Sequence, residues 1–576
     1  MASQTISTAL PRSRKASSGP SRLALSVALL VVAGLVLGPL LILLRTALTP
    51  PDTFPLDGWE FTFQNFGTIL ASSELPTLLL NTAVYAFGSI VIGLVMAAWL
   101  AWLVERTDMP GRTFIRIALF TWMAVPPVIL GFGWILLINP GNGILNALWS
   151  FFTGEAGPLT IYSMWALIFI TGVSVTPTAF VMIGGLFRNM DPQLETAGFV
   201  HGGGRWAVTR RIVIPLLMPG LLSVAIYVFI AVVQAFELPL IVGLTARIPV
   251  LSTRIYLLST PDVGVPNYGL SAAFGILLLV IACLLMLLYF RVIGAGEKYK
   301  VVTGKAFHPR RVHLGPWAVP AFALSAVLVF LMVMPLLVLL WTSFLRFYEL
   351  PTFDALTRMS LDTYREVLGR TAVRSAILNT VILVFASSIA TMALASVVSW
   401  LATRGQGWLA RALDVMSFSP MAIPPIVMAM AILLLYLRTP LYGSVMILII
   451  GHITIYLAFA TRTMSSALVQ LHKELSDAAM VCGAGWWTTL RRIVLPLVWP
   501  QLLNGWIWVL AHSARDLTIP LLLMTNRNMV MSTVMWTLWD VPDLPGAAAL
   551  STLLVLALLL IVVPIQLWIA RASERR

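Results

Sequence analysis

The residues most able to do chemistry in this sequence are ionisable side chains inside apolar segments. Glu237 lies in VQAFELPLIVG, and Arg515 and Asp516 lie in HSARDLTIP. Ionisable groups at membrane depth mark solute paths, gates or ion pairs, because their desolvation is costly. These three residues, with the weaker candidates Gln234 and His512, are predicted to line a translocation path or gate. Pairing of Arg515 and Asp516 with each other or with Glu237, to hold an outer gate, is favoured over direct solute contact.

Patterns for catalysis and metal binding are missing from the sequence. The linker motif TGK resembles part of a phosphate-binding loop, but Tyr299 and Ala306 occupy the positions that need glycine and Ser or Thr. The six histidines are scattered, and an isolated His such as His452 is more often a packing or hydrogen-bonding residue than a metal ligand. We therefore predict no catalytic residue, no metal site and no cofactor in this chain, and no enzyme activity.

The elements that must position these residues are membrane-spanning helices. Of the 576 residues, 59% are hydrophobic and only 10% are charged, which is typical of the membrane class. A crossing helix needs about 20 apolar residues. Twelve segments meet that criterion, near 23–44, 78–103, 115–138, 159–187, 212–240, 271–291, 316–345, 376–402, 412–437, 441–461, 493–524 and 547–570. Nucleic-acid binding is not expected despite the net charge of +14, because the basic residues form short clusters between apolar runs.

Basic residues beyond the outermost segments set the expected orientation. Those residues are Arg12, Arg14, Lys15 and Arg22 before the first segment, and Arg571, Arg575 and Arg576 after the last. Because Lys and Arg concentrate on the cytoplasmic side, both termini are predicted to be cytoplasmic. The first apolar stretch is too long for a signal peptide and is interpreted as a retained span.

The two halves of the sequence repeat. Residues 204–219 (GRWAVTRRIVIPLLMP) and 485–500 (GWWTTLRRIVLPLVWP) are identical at nine of sixteen positions. A second pair, LLNTAVYAFGSIVIG at 79–93 and ILNTVILVFASSIAT at 377–391, matches at another offset because the first half carries an extra outer loop at 139–157. Each half contains six segments, so the copies share one orientation. The predicted fold is an all-α polytopic membrane protein with twelve transmembrane helices as two parallel six-helix repeats.

The inner loops between the fourth and fifth segments form a second candidate site. LETAGFVHGGGRWAVTRRIVIP (194–215) and LSDAAMVCGAGWWTTLRRIVLP (475–496) occupy matching places in the two halves. Small residues favour a short helix in the second loop, and Gly483 permits a left-handed exit from it. Pro215 and Pro496 cost little at the start of the next span, because the first amides of a helix lack partners within it. An ordinary amphipathic connector is the alternative.

The second inner loop resembles the EAA loop of binding-protein-dependent ABC importer permeases. That pattern is E-A-A, three residues, G, nine residues and I-x-L-P, and the LNT stretches and the Pro-Pro pairs in MAVPPVI and MAIPPIV also match the family. In the second half the pattern falls on Asp477, Ala478, Ala479, Gly483, Ile493, Leu495 and Pro496. In the first half it falls on Thr196, Ala197, Gly198, Gly202, Ile212, Ile214 and Pro215, with Glu195 one place early. The resemblance implies that both loops, including Arg210, Arg211, Arg491 and Arg492, couple the chain to an ATPase.

A narrower resemblance concerns the fused arrangement. Two permease domains joined by the basic linker KYKVVTGKAFHPRRVHLG, with ARDLTIPLLL in the second half, resemble the ferric-iron importer permeases. The resemblance implies two copies of a separate ABC ATPase, which would hold ATP and Mg, and a periplasmic or lipid-anchored solute-binding protein. It also implies a bacterial cytoplasmic (inner) membrane. Permeases for 2-aminoethylphosphonate, thiamine and polyamines remain alternatives, and an ion-coupled secondary transporter is the alternative from another class.

The expected domain organisation follows the repeat. The predicted parts are a cytoplasmic tail at 1–22, a first permease domain at 23–293 with a coupling loop at 190–215, a cytoplasmic linker at 294–315, a second permease domain at 316–570 with a coupling loop at 471–496, and a cytoplasmic tail at 571–576.

Overall fold

The computed structural model describes residues 21–51, 53–55, 57, 60–188, 190, 192–261, 264–296, 312–471, 474–475, 478–479, 482–484 and 486–574. The helices of the first half are α1 (Arg22–Ala47), α2 (Gln64–Ala71), α3 (Glu74–Arg106), α4 (Arg112–Trp122), α5 (Pro127–Ile138), α6 (Ile144–Thr153), α7 (Met164–Arg188), α8 (Pro192–Val200), α9 (Arg205–Val208), α10 (Ile214–Val233), α11 (Leu251–Ser259) and α12 (Tyr268–Gly296). Two π-helical turns, Thr209–Val213 and Pro239–Gly243, complete this half.

The second half repeats this order. Its helices are α13 (Ala318–Ser343), α14 (Phe353–Thr357), α15 (Asp362–Gly369), α16 (Thr371–Arg404), α17 (Trp408–Phe418), α18 (Pro425–Tyr436), α19 (Val445–Gln470), α20 (Trp486–Thr489), α21 (Leu495–Arg515), α22 (Thr518–Leu523), α23 (Met531–Asp540) and α24 (Leu544–Glu574). Short 3-10 helices lie at Gly315–Trp317 and Ser419–Ala422, and a π-helical turn lies at Leu490–Val494. The described residues therefore form helices and no strand in either half, apart from an isolated bridge between Thr107 and Val312.

Ten helices in the described part of the chain are long and apolar enough to cross a membrane. They are α1, α3, α7, α10 with its preceding turns, α12, α13, α16, α19, α21 and α24. Two further pairs, α4 with α5 and α17 with α18, pass the same test only when each pair is taken together. Counting each bent pair as one span gives the predicted total of twelve.

The third span of each half is broken, so the predicted single segments at 115–138 and 412–437 are wrong in shape. The axes of α4 and α5 differ by 106°, and those of α17 and α18 by 108°. Each break falls at a Pro-Pro pair, whose first proline is extended and whose second begins the next helix. A proline disfavours helical backbone in the residue before it but is well suited to the first helical position. The Pro-Pro pairs therefore end one helix and start another.

The fifth span of each half also ends earlier than the predicted segments at 212–240 and 493–524. The helix α10 stops at Val233, and α21 stops at Arg515. Beyond α21 the backbone of Asp516 is extended, with ψ at 129°, and a new helix begins two residues later. Apolar composition alone does not reveal such a break, because the short helices that follow are equally apolar.

The prolines at the start of the fifth spans lie within continuous helix. Pro215 is the second residue of α10, but a π-helical turn and α9 precede it without a break. Within that turn the Ile214 amide donates to the Thr209 carbonyl, five residues earlier. A π-helical turn is rare, and where it occurs it is mostly a single turn inside an α-helix, frequently at a functional site. The aligned Pro496 follows a π turn in the same way.

The first helix of each half packs against the other half. α1 contacts α17 and α18, and α13 contacts α4 and α5. The α13–α5 crossing depends on Gly133, because a Cβ there would lie 2.4 Å from the Pro335 carbonyl oxygen. The two halves are thus interlocked, while the domain boundaries drawn from the sequence stay a prediction.

Candidate coupling loops and gate

The first inner loop contains a short helix with a defined end. The helix α8 closes with the bonds of a Schellman motif, in which the Gly203 amide donates to the Gly198 carbonyl (3.0 Å) and the Gly202 amide to the Phe199 carbonyl (3.0 Å). Gly202 has a φ of +78°, in the left-handed region that such an end requires. Residues with a Cβ are strained in this conformation, so glycine fixes the place where the chain turns.

The second inner loop turns in the same way. The Ala484 amide donates to the Ala479 carbonyl (2.9 Å), and Gly483 has a φ of +81°. These residues stand 281 positions after their counterparts in the first loop, so the repeat extends from sequence to backbone geometry. Asp477, which the EAA pattern places in this loop, lies outside the described residues. We call the membrane face that carries both loops the loop side.

Most of the other predicted coupling residues lie on the surface of the loops. Matching positions have matching exposure: Ala197 and Ala478 are exposed, while Gly198 and Ala479 are half-buried. The remaining exposed positions are Thr196, Arg210, Arg211, Pro215, Arg491, Arg492 and Pro496. These surfaces are available to a partner, and their role in ATPase coupling stays a prediction.

Glu195 behaves differently from its neighbours because it is buried. Its carboxylate forms an ion pair with Arg106, the last residue of α3, and both side chains are less than a tenth exposed. The residue that stands one place early in the EAA pattern therefore points inward and ties the loop helix to a span. Thr196, which occupies the aligned position, is exposed.

A second buried acid lies beside this ion pair. Glu105 accepts from Arg188 at the end of α7 (2.6 Å) and from Arg116 in α4 (3.0 Å). Together, Glu105 and Arg106 connect the end of α3 to three other helices. A buried ion pair is costly to break, because removing one partner leaves an unpaired charge. This network fixes α8 against the spans.

The end of the interdomain linker is attached to the same region. The Val312 amide donates to the Arg106 carbonyl (2.7 Å), and the Asp108 amide donates to the Val312 carbonyl (3.2 Å). The Asp108 carboxylate accepts from the Leu314 amide (2.9 Å) and contacts the His313 ring. These hydrogen bonds, the Leu314 amide first, hold the pKa of Asp108 below its usual value. The start of the second half is thereby held next to the first coupling loop.

The predicted gate residues meet where the fifth spans break. The Leu517 amide of the second half donates to Glu237 Oε1 of the first half (3.0 Å). In the opposite direction, the Arg515 guanidinium donates to the Met123 carbonyl. Among the described residues, no ion pair joins Glu237, Arg515 and Asp516 to one another. The two halves therefore contact each other through hydrogen bonds between charged side chains and backbone groups. These backbone groups lie at helix ends, where they have no partner within their own helix.

A chain of buried hydrogen bonds supports the second half of the gate. Asp516 accepts from the Thr518 amide (3.2 Å), and its Oδ2 lies 3.1 Å from His452 Nε2. His452 Nδ1 is 2.6 Å from Ser513 Oγ, which is 2.8 Å from Ser387 Oγ. Asp516 thus caps α22 and anchors it to α19. His452, treated as an isolated histidine in the sequence, is fully buried as part of this chain.

The remaining gate candidates are placed beside these contacts. The His512 ring stacks on Trp508 with ring centroids 3.7 Å apart, and its Nδ1 lies 2.9 Å from the Trp508 carbonyl oxygen. Gln234 follows the last residue of α10, and its Nε2 atom is buried with no hydrogen-bond partner in the described part of the chain. Within that part, no group of three or more His, Cys, Asp or Glu could hold a metal ion.

Comparison with known proteins identifies the chain's family. Residues 89–295 and 395–576 each match the profile of the binding-protein-dependent transport system inner membrane component family. The chain belongs to this family. It is therefore an ABC importer permease that contains two copies of the family domain, each consistent with one six-helix repeat. It is a multi-pass membrane protein.

Similar proteins include permeases of ferric and polyamine transport systems. The putative ferric transport system permease protein FbpB 1 of Haemophilus influenzae is 23% identical over 497 residues, covering 82% of this chain and 74% of that protein. The spermidine/putrescine transport system permease protein PotC of Escherichia coli strain K12 is 30% identical over 160 residues, covering 28% of this chain and 60% of PotC. A solved bacterial ABC transporter involved in import of the acidic polysaccharide alginate matches 48% of this chain and 94% of its own, with 18% identity and a TM-score of 0.40.

The LNT stretches of the permease have a structural role that the sequence left unassigned. Thr82 accepts from the Leu251 amide (3.1 Å), and Thr380 accepts from the Met531 amide (2.8 Å). The neighbouring asparagines, Asn81 and Asn379, donate to the Pro249 and Met529 carbonyls (3.0 and 2.9 Å). Each stretch therefore holds the first turn of the helix that follows the gate, α11 or α23. The repeat of an Asn-Thr pair in two apolar helices was the signal available in the sequence.

Proposed function

We propose that this permease imports ferric iron, which a separate periplasmic or lipid-anchored binding protein delivers to it. The observation that carries the proposal is the similarity to the ferric permease of Haemophilus influenzae, which extends over 82% of this chain and 74% of that relative. Such coverage is longer than either half, so the similarity includes residues of both halves. Iron is the transported substrate in this proposal, and the permease itself holds no resident metal.

The two inner loops are the proposed docking points for two ABC ATPase subunits. Each loop presents exposed small residues before a left-handed glycine, and the two turns are related by the same offset of 281 positions. The ATPase subunits would hold ATP and Mg, so this chain would carry no ATPase activity of its own. Both termini and the linker would then lie in the cytoplasm, on the loop side of an inner membrane.

Movement would pass from the loops to the gate along the fifth spans. The second loop leads through α20 and a π turn into α21, which ends at Arg515 beside the gate. In the first half α10 has the same relation to Glu237. Because α1 and α13 each pack on the opposite half, rocking of one half would also move a span attached to the other. Closure of the ATPases would thus separate the contacts of Glu237 with Leu517 and of Arg515 with Met123.

Uptake of radiolabelled ferric iron tests the proposed substrate. A strain lacking the permease gene would be complemented with the wild-type chain, with a Gly202→Val/Gly483→Val variant, or with Gly154→Val as a matched control. Gly154 has a left-handed φ of +76° and open space around it, but it lies in the extra outer loop. We expect the wild type and the control to restore iron uptake and the double variant to fail. Normal iron uptake in the deletion strain would refute the iron assignment.

Polyamine import is the second candidate. It is favoured by the 30% identity to the Escherichia coli spermidine/putrescine permease, although the match covers only 28% of this chain. The same strains supplied with labelled spermidine distinguish the two substrates. If the deletion strain lost spermidine uptake but kept iron uptake, spermidine would replace iron as the proposed substrate. Loss of 2-aminoethylphosphonate or thiamine uptake with intact iron uptake would assign that solute instead.

A further inference from the structure

A large cavity lies between the first coupling loop and the membrane-spanning helices. Its volume is about 1020 Å³, and the ends of α3, α8, α10 and the linker enclose it. One wall is apolar and belongs to the spans, where Trp102, Leu217 and Leu221 line it. The other wall belongs to the loop and includes Phe199 and Trp206. The cavity therefore extends from membrane depth on the loop side into the coupling loop.

One donor atom of a charged side chain at this cavity has no hydrogen-bond partner among the described residues. Arg106 is only 3% exposed, and its Nη2 atom is used by Glu195. Its Nη1 atom is buried and makes no hydrogen bond to any described residue. A guanidinium has five donors in a planar fork and can serve two acceptors at once. A buried donor without an acceptor is costly, so the cavity favours a ligand that brings an oxygen to Nη1.

We propose that a glycerophospholipid from the leaflet on the loop side occupies this cavity, with a phosphate oxygen accepting from Arg106 Nη1 and its acyl chains against Trp102, Leu217 and Leu221. The lipid then contacts the Arg106–Glu195 ion pair that fixes α8, so its binding stabilises the position of the coupling loop. The proposal is independent of which solute the permease transports.

The lining of the cavity favours a lipid over a soluble ion. A free phosphate would fill a small part of the space and leave the apolar wall exposed to water. Leu217 and Leu221 lie in the spanning helix, where acyl chains are the surrounding solvent. Trp206 is 72% exposed, and tryptophan is enriched at the level of lipid headgroups. A phospholipid satisfies the apolar wall and the Arg106 donor together.

The second half provides a matched control. Arg404 ends α16 as Arg106 ends α3, but its Nη2 atom donates to the Leu471 carbonyl (3.2 Å). The cavity nearby is smaller, about 740 Å³, and its lining includes the polar residues Thr403, Gln406 and Ser465. Three charged residues line it, and two of them, Asp414 and Arg462, pair with each other at 3.4 Å, while Arg411 is the third. We therefore expect one tightly held lipid per chain, in the first half only.

Native mass spectrometry of the full chain in detergent tests the proposal. We expect one retained phospholipid on the wild type and on Arg404→Gln. The double variant Arg106→Gln/Glu195→Gln replaces the ion pair by two neutral side chains and leaves no unpaired buried charge. We expect its affinity for the lipid to be at least about tenfold lower, as the loss of one charged hydrogen bond implies. Equal retention by the double variant, or equal loss in Arg404→Gln, would overturn the site.

A second measurement separates lipid from free anion. The delipidated wild-type chain would be titrated with dioctanoyl-phosphatidylglycerol or with inorganic phosphate while its thermal unfolding is followed. The site predicts a rise in Tm with the lipid, no rise with phosphate at the same concentration, and no rise with either in the Arg106→Gln/Glu195→Gln variant. A rise with phosphate that equals the rise with lipid would replace the lipid by a soluble anion and contradict the proposal. A rise in the double variant that equals that of the wild type would also contradict it.

Discussion

The two coupling loops share a turn, but among the described residues different contacts attach them to the spans. Gly202 and Gly483 take the same left-handed conformation at equivalent positions. In the first loop, however, a buried ion pair ties the helix α8 to the end of α3. At the corresponding place in the second half, the contact seen among the described residues is a hydrogen bond from Arg404 to the Leu471 carbonyl, and Asp477 lies outside those residues. The shared turn is what a common partner would need, whereas the attachment differs between the copies.

The difference also explains an irregularity in the sequence. Glu195 stands one position before the acid of the EAA pattern because it serves the interior of the protein, where Arg106 meets it. Because Glu195 faces the interior side of α8, it occupies a different position in the helix from the exposed residues Thr196 and Ala197.

The largest effect is expected from removing the arginine that ends α3. Arg106→Ala leaves Glu195 buried and unpaired, which should cost about 3–5 kcal/mol of stability. Arg404→Ala removes one hydrogen bond to a carbonyl and should cost about 1.5 kcal/mol. Thermal unfolding in detergent, followed by tryptophan fluorescence, measures both variants.

A double variant is the control for this comparison. Arg106→Ala/Glu195→Ala removes both charges and should recover most of the stability lost in Arg106→Ala. Equal losses for Arg106→Ala and Arg404→Ala would show that the two attachments do not differ in strength.

Substitutions in the LNT stretches should lower stability equally in the two halves. Thr82→Val and Thr380→Val preserve side-chain shape but leave the Leu251 and Met531 amides without their acceptors. Each change should cost about 1–3 kcal/mol, as expected for a buried unsatisfied donor. Thermal unfolding of the two single variants checks this symmetry. A difference of several kcal/mol between them would mean that the LNT stretches have unequal roles.

The shared turns should also respond alike. A valine at Gly202 or Gly483 has open space around it, so the expected cost of about 1–2 kcal/mol comes from the left-handed backbone alone. We expect either change to weaken ATPase binding at least tenfold, since a loop that relaxes from the strained turn must regain it to dock, and about 1.4 kcal/mol corresponds to a factor of ten. Titration of the purified chain with its ATPase measures the affinity, and Gly154→Val is the control. An effect confined to one loop would break the proposed equivalence.

An exposed ion pair between the halves should have the smallest effect. Asp57 accepts from Arg438 (2.8 Å), and this hydrogen bond lowers the pKa of Asp57. A lowered pKa in the folded state means that the interaction is complete above the ordinary value of about 3.9 and is lost as the pH falls further. Uptake by Asp57→Asn should therefore match the wild type between about pH 6 and 8, because exposed pairs are weak. A marked loss in that range would show that this pair matters more than its exposure implies.

The sequence predicted the fold where composition and repetition were sufficient. Long apolar segments located ten spanning helices, and the copies at 204–219 and 485–500 located two loops whose backbone turns prove equivalent. The breaks at the Pro-Pro pairs were also within reach, because paired prolines in an apolar run disfavour a straight helix. The segments 115–138 and 412–437 were each placed as one span by composition alone, which does not register this backbone restriction.

Other features could not be read from the sequence. The helix α1 is apolar on all sides, so nothing in its pattern indicates that Val32 and Val36 are buried or that it packs on the second half. The ion pair between Arg106 and Glu195 joins residues 89 positions apart and requires knowledge of the fold. Likewise, the partner of Glu237 is a backbone amide, which has no signature in the sequence.

The number of ATPase subunits held by one chain tests the central claim most directly. Native mass spectrometry of the permease co-expressed with its ABC ATPase would give this number. The proposed docking at both loops predicts two ATPase copies on the wild-type chain, and loss of both in the Gly202→Val/Gly483→Val variant with the Gly154→Val control unaffected. A single ATPase copy on the wild type, or two copies retained by the double variant, would contradict the assignment of these loops as paired docking sites.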